Sequence, residues 1–403
     1  MNIFVKRHTP FIVTAALLST IVISPWAQAS PPQNVGPSVG KCTPTSVSNQ
    51  SSVLGYCNTS GVNQAWYATS STSFTGLPPL QAGQSCVSDY LGINVMSGTC
   101  DQLLGTVLGK VPVTWSVASP ASSPTKLLPL PLDTGATING ATQFGHVAGQ
   151  SISLLGNTAV VWRLQDTGTP TQVSARNDNC QSADISDALS NGYPYVALNC
   201  PHLLTNSSAE VAIYDGTHFV LKPLRLPTGA QYCEVIAINN QNQAAGSCYY
   251  ANNPIATFWS SFDGEPTTLI STDRLPTASA FLNEQGSIIV NATASASQTL
   301  PIFWVATSNI TQQIPIPANF NTCKANDFSQ AANTLIMTCA ANDFNVPVTV
   351  FSWTPNGGLS SVEPAQGTTI YRARSVSVSG TVGAGYSKTN DTADPRAFFA
   401  PLP

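Results

Sequence analysis

Val235 to Leu269, VIAINNQNQAAGSCYYANNPIATFWSSFDGEPTTL, is the stretch whose reading decides the fold. It has four parts: an apolar run ending at Asn239-Asn240, a Gly-containing segment closing on Cys248, an apolar segment ending in Phe258-Trp259, and an Asp263-Gly264 turn into a last segment. Short apolar runs broken by turn residues read as strands, so this is one four-stranded meander.

Moving outward, the aromatic that ends the third strand recurs at Trp66, Trp115, Trp162, Tyr214, Trp259, Trp304, Trp353 and Phe399, separated by 49, 47, 52, 45, 45, 49 and 46 residues. A near-constant period of this size indicates a repeat architecture. Upstream of five of these aromatics stands a cysteine pair: Cys42 and Cys57, Cys86 and Cys100, Cys180 and Cys200, Cys233 and Cys248, Cys323 and Cys339. Each pair falls at the start of a first strand and the end of a second, places that face each other in an antiparallel hairpin. Consecutive disulfides are therefore expected, although spacing alone does not prove connectivity. Ser151, Ala292 and Ser387 stand where the second cysteine would fall in the other three repeats.

Gly55, Gly98 and Gly246 precede the second cysteine by two residues, and Gly149 and Gly385 hold the same place in repeats without cysteine. Glycine inside a strand marks a bulge or a close backbone approach. Asp215-Gly216, Asp263-Gly264 and Asn356-Gly357 read as hairpin turns between third and fourth strands. Small sheets in succession bury both faces only against one another, so the expected fold is an all-β, eight-bladed β-propeller of four-stranded antiparallel blades, with seven blades as the alternative. The last repeat stops soon after its third strand, and the missing strand would come from about Gln33 to Gly40, where Pro37 is tolerable only at an edge.

The apolar-Ile/Leu-Asn start, Gly-rich second strand, Ala/Ile-Phe-Trp third strand and Gly turn, clearest in Ala237 to Leu269 and Phe281 to Ile314, resemble the HAF repeat of bacterial extracellular proteins. The resemblance implies an exported propeller-like protein and carries no catalytic residues to transfer.

Lys6 and Arg7, the apolar run Phe11 to Ile23 and the small-x-small site Ala27-Gln28-Ala29 read as a secretory signal peptide over residues 1–29. Residues 30–403 then form a single propeller domain of about eight repeats, secreted or periplasmic, without a transmembrane anchor. Taking Lys6 and Arg7 from the 15 basic residues leaves 13 against 19 acidic ones, and this balance of −6, without basic patches, argues against nucleic acid. Ten cysteines in an exported chain read as disulfides.

Catalytic signatures are missing: no G-x-S-x-G, no phosphate loop and no H-E-x-x-H. His146, His202 and His218 lack metal-ligand spacing, and Asn177-Asp178-Asn179 offers oxygens for calcium without a complete loop pattern. The repeated aromatics are expected to pack between blades, while Tyr193, Tyr195, Tyr249 and Tyr250 are the candidates for sugar stacking. A carboxylate pair for glycoside hydrolysis would come from Asp184, Asp187, Asp263, Glu265, Asp327 or Asp343, since a propeller gathers loops at one end of its axis. The expectation is a monomeric, non-catalytic binding or scaffold protein without cofactor or metal, its ligand a surface glycan or a protein. The alternative is a polysaccharide hydrolase or lyase.

Overall fold

The computed structural model describes residues 33–37, 40–70, 73–104, 107–163, 168–202, 205–251, 253–269, 276–295, 298–341, 348–363, 367–368, 370–388 and 394–402. The leader and its cleavage site fall outside them, as does Asp343. Among the described residues, 32 strands form eight four-stranded antiparallel sheets and no helix is present. The sheets stand in a ring, which makes an eight-bladed β-propeller and removes the seven-bladed alternative.

The innermost strands, one per blade, are Lys41–Val47, Cys86–Leu91, Gly135–Ala141, Gln181–Ser190, Tyr232–Ile238, Thr277–Leu282, Thr322–Phe328 and Ile370–Val376. The first seven blades are continuous in sequence. The eighth takes its outer strand, Gln33–Val35, from the start of the described chain. Gln33 pairs with Phe399, Asn34 with Phe398 and Val35 with Ala397, closing the ring, and Pro37 lies beyond this strand, where it removes no ladder hydrogen bond.

All five cysteine pairs are disulfides between consecutive cysteines, directly opposed across the inner and second strands. Five such bridges mark an oxidising environment.

The aromatics bury apolar area between neighbouring blades. Trp115 packs with Leu54 and Tyr67 of the preceding blade, and Trp259 with Ala197 and Val211. Their indole N–H groups donate to carbonyls just before their own blades, Trp115 to Pro78 at 2.9 Å and Trp259 to Arg225 at 2.8 Å. This buries a large ring without orphaning its polar atom.

The aromatic marker is not strictly periodic, which corrects the sequence alignment. In blades 2, 3, 5, 6 and 7 it shares one register position, opposite Met96, Val147, Ala244, Ile288 and Leu335. In blades 1, 4 and 8 alanines occupy that position: Ala68, Ala212 and Ala400. Trp66 sits two residues earlier, directly over Gly55, and fills the space that a Cβ would need: a Cβ there would lie 2.6 Å from the ring. Its indole N–H finds no acceptor among the described residues.

Each inner strand carries a bulge at the same place. The ladder skips Thr45, Asp89, Asn139, Ala183, Ile236, Ala280, Asn326 and Arg374 in blades 1 to 8. The strand glycines are its counterpart. Gly149 and Gly385 pair with the residue just before the bulge, and a Cβ on either would meet the carbonyl oxygens of Thr137 and Arg372 at 1.8 and 2.0 Å. Glycine lets the bulged backbone press in, and the bulge turns the following residues toward the axis.

Candidate functional site

The eight bulges surround an axial cavity of about 440 Å³ that every inner strand helps to line. Aligned on the first cysteine or the residue in its place, the bulge falls three residues later and the next axial residue four. These two columns place Asp89, Tyr90, Asp184 and Asp327 in the wall. Arg374, the bulge residue of blade 8, is close enough to Asp89 to stabilise its charge.

The wall carboxylates hold blades together. Asp184 of blade 4 accepts the Ile238 backbone N–H of blade 5 at 2.9 Å. Asp327 of blade 7 repeats the arrangement toward blade 8: its Oδ2 accepts the Val376 N–H at 2.8 Å and the Ser375 hydroxyl at 3.1 Å, and its Oδ1 accepts the Phe328 N–H at 2.9 Å. Tyr90 donates its hydroxyl to the Asn139 carbonyl of blade 3 at 2.5 Å.

A second ring lies at the mouth, where inner strands hand over to second strands, seven residues after the first cysteine position. The Gln143 N–H donates to Asp187 at 2.8 Å, the Ala188 N–H to Asn240 at 2.6 Å and the Asn240 N–H to Glu284 at 3.0 Å. Backbone carbonyls replace the side chains farther round: the Glu284 N–H donates to Gln330 and the Ala331 N–H to Val378, both at 2.9 Å. The Ser379 N–H donates to Asn49 at 2.8 Å, and the Ile93 N–H to the Gln143 carbonyl at 2.9 Å. Each blade from the second to the eighth thus clasps the next, the eighth returning to the first.

Burial dominates the acid–base character of the site. It pushes Asp184 up to about 7, against the N–H groups of Ile238 and Ile185 that favour the anion and with repulsion from Asp187 and Glu284. It raises Asp327 to about 6 against its three donors, and Asp89 to about 6 against the Arg374 guanidinium. Asp187 and Glu284 are raised by burial, opposed by their clasp N–H groups, and Tyr90 is raised by burial and then by Asp89 and Asp184.

Of the carboxylates singled out in the sequence, Asp184 and Asp327 reach the cavity and Asp187 its mouth. Asp263 and Glu265 do not: they form exposed ion pairs with Lys222 and Arg225 of blade 4. Tyr193 is buried against Tyr214 and Phe219, and Tyr195 packs on Phe262. Tyr249 stacks on Tyr232 at 4.3 Å and donates to Glu234, while Tyr250 packs partly buried against the core between blades 4 and 5. None of these four tyrosines lines the cavity. The oxygens of Asn177, Asp178 and Asn179 accept from Ser153, Ser174 and the Asn157 N–H, which makes this segment a hydrogen-bonded turn. Among the described residues no three His, Cys, Asp or Glu converge as metal ligands. Asp89, Tyr90, Glu284 and Arg374 escaped the sequence reading. The signal that finds them is the column three, four or seven residues after each first cysteine or the residue in its place.

No family model matches the chain, and no curated protein sequence does. Solved structures do resemble it. One of two prolyl endopeptidases analysed for inter-domain dynamics in catalysis and specificity shares 13% identity at a TM-score of 0.56, over 86% of this chain and 54% of that one. Prolyl oligopeptidase B from Galerina marginata, with a bound 35mer substrate, shares 11% at 0.57, over 87% and 55%. Oligopeptidase B from Leishmania major shares 10% at 0.53, over 88% and 54%. The chain spans about half the length of these proteins, and at such identities the likeness is one of fold alone.

Proposed function

We propose that this is an exported, non-catalytic propeller whose axial cavity binds a surface glycan or a protein. The observation that carries this reading is the use of the cavity carboxylates: Asp184 and Asp327 are spent as acceptors of backbone N–H groups from the next blade. A general acid or base must be within reach of the atom whose proton it moves, and a carboxylate committed to a neighbouring strand is poorly placed for that. The five disulfides, the leader-like residues 1–29 and the HAF-like repeat support export to the periplasm or the medium.

A second reading, a polysaccharide hydrolase or lyase, draws on the raised carboxyls: Asp184 at about 7 and Asp327 at about 6 hold protons in the range a general acid needs. Incubating the oxidised protein with surface polysaccharides and peptidoglycan, and following retention and fragments by mass spectrometry, separates the two. Retention without fragments is the expected outcome. Fragments that vanish with Asp184→Asn or Asp327→Asn would establish the enzyme instead.

A further inference from the structure

The cavity is unlike its surroundings in two respects at once. Three carboxyls, Asp89, Asp184 and Asp327, stand in its wall and two more, Asp187 and Glu284, at its mouth, opposed among the described residues by the Arg374 guanidinium near Asp89. The clasp loops at the mouth also differ by sector. In blades 2 to 4 they present Ile93, Phe144 and Leu189, with 56%, 64% and 49% of their surface exposed. Ile93 and Phe144 directly follow the lining residues Gly92 and Gln143, and Leu189 lies two residues past Asp187, which holds the Gln143 N–H. In blades 5 to 7 the same loops carry Asn240, Glu284 and Gln330.

We infer that the cavity receives a lysine or arginine side chain of a protein partner, while apolar neighbours of that residue, in the same extended segment, pack on Ile93, Phe144 and Leu189. The inference rests on reading the cavity as a binding site, and it narrows the ligand from glycan or protein to protein.

The chemistry supports each half. A cation entering the cavity meets carboxyl charge rather than free acceptors, in a partly enclosed site where opposite charges attract more strongly than in open solvent. An anionic ligand meets the same carboxyls and is repelled. The volume of about 440 Å³ lies at the small end of ligand sites and suits one long side chain with its hydration shell. Exposed apolar side chains beside such a pocket mark a contact surface, and the aliphatic Ile93 and Leu189, in the blades on either side of Phe144, complement a peptide's apolar side chains better than the hydroxyls of a sugar. The partner's charge would draw protons from Asp184, Asp327 and Asp89. Among the groups that face the cavity, Asp187 and Glu284 act in the same sense, Arg374 opposes, and Tyr90 stays protonated. Binding therefore tightens as the pH rises through the range of these carboxyls.

The test is selection from a randomised decapeptide library on the full-length, disulfide-bonded protein, followed by fluorescence anisotropy with the selected peptides. Selected peptides are expected to share one basic residue flanked by apolar ones, and replacing that residue by glutamine should weaken binding roughly tenfold or more. Phe144→Ser and Ile93→Ser, on exposed side chains that leave the fold intact, should each weaken it roughly three- to tenfold. Glu284→Gln, which keeps an acceptor for the Asn240 N–H, should weaken the basic peptide and leave its glutamine form unmoved. Selected peptides without a basic residue, or binding indifferent to all three substitutions, would overturn the inference. Polysaccharide fragments are run in the same assay. If they bind at a site lost in Phe144→Ser and no peptide is recovered, the binding-module reading survives and this inference fails; if neither class binds, both fail.

Discussion

Each inner strand is held differently at its two ends. Where it begins, five of the eight blades carry a disulfide to the facing strand of the same blade. Where it ends, the blade is held to its neighbour by backbone N–H groups donating to Asp187, Asn240, Glu284 and Asn49, and deeper in by Asp184 and Asp327. The sulfur end makes each repeat coherent by itself. The carboxylate end makes the ring, and the cavity lies there. Local stability and assembly are thus carried by different chemistry at opposite ends of one strand.

The largest effect should come from breaking the covalent end. Replacing Cys233 and Cys248 together by serine opens a loop of 15 residues, for which chain entropy predicts a loss of about 3 kcal/mol. Urea denaturation measures it. Because the bridge is internal to blade 5, peptide or glycan binding at the axis should persist under conditions where the variant remains folded. Loss of binding in a folded variant would show that the two ends are coupled.

Asp327→Ala attacks the other end. It strips the Val376 N–H and the Ser375 hydroxyl of their acceptor across the junction between blades 7 and 8, and one buried polar group left unpaired costs about 1–3 kcal/mol. Asp327→Asn keeps an oxygen for Val376 and should lose less. Equal losses in the two variants would mean that charge, and not the hydrogen bond, is what the junction uses.

This difference between the ends also governs what could be read from the chain. The cysteine pairs are local, 14 to 20 residues apart, so one repeat displays both partners and consecutive pairing could be anticipated. The strand glycines likewise announced a bulge or a close approach, and both occur, as Gly149 and Gly385 show. The clasp partners lie in successive repeats: Asp184 and Ile238 are 54 residues apart, Asp327 and Val376 49. Asp184 stands four residues after Cys180 and Asp263 thirty after Cys233, but it takes the closed ring to show that the first of these places faces the axis, and the candidate acids therefore mix wall residues with surface ones. Trp66 shows the converse error. Spacing alone makes an aromatic near the expected place equivalent to the others, although the ladder puts Ala68 there and Trp66 over Gly55.

The pH dependence sharpens the contrast from within the carboxylate end. A carboxyl whose folded value is raised binds its proton more tightly in the folded protein than in the unfolded chain. Stability is then fullest below the ordinary carboxylate range, about 4, and falls as the pH rises through the folded values. With Asp327 and Asp89 at about 6 and Asp184 at about 7, the melting temperature should decline between about pH 4 and about pH 7. Asp184→Asn and Asp327→Asn should each flatten that decline, whereas the disulfide variant should shift the whole curve downward with its slope kept. A slope unchanged in both asparagine variants would remove these carboxyls as its cause.

The smallest effect belongs to carboxylates of the same type placed outside the ring. Asp263 and Glu265 pair with Lys222 and Arg225 across the junction between blades 4 and 5, with 74% and 76% of their side-chain surface exposed. Water solvates both partners whether or not they meet, and ordering two long side chains offsets the attraction, so Asp263→Ala and Glu265→Ala should each change stability by about 0.5 kcal/mol or less. Their influence should fade further as salt is raised. This junction already has the Asp184 to Ile238 and Ala188 to Asn240 hydrogen bonds near the axis, and the outer pairs add little to blades held there. A loss in Asp263→Ala comparable to that in Asp327→Ala would mean that the blades are held at their circumference as firmly as at the axis, and the division of labour between the two ends of the inner strand would have to be redrawn.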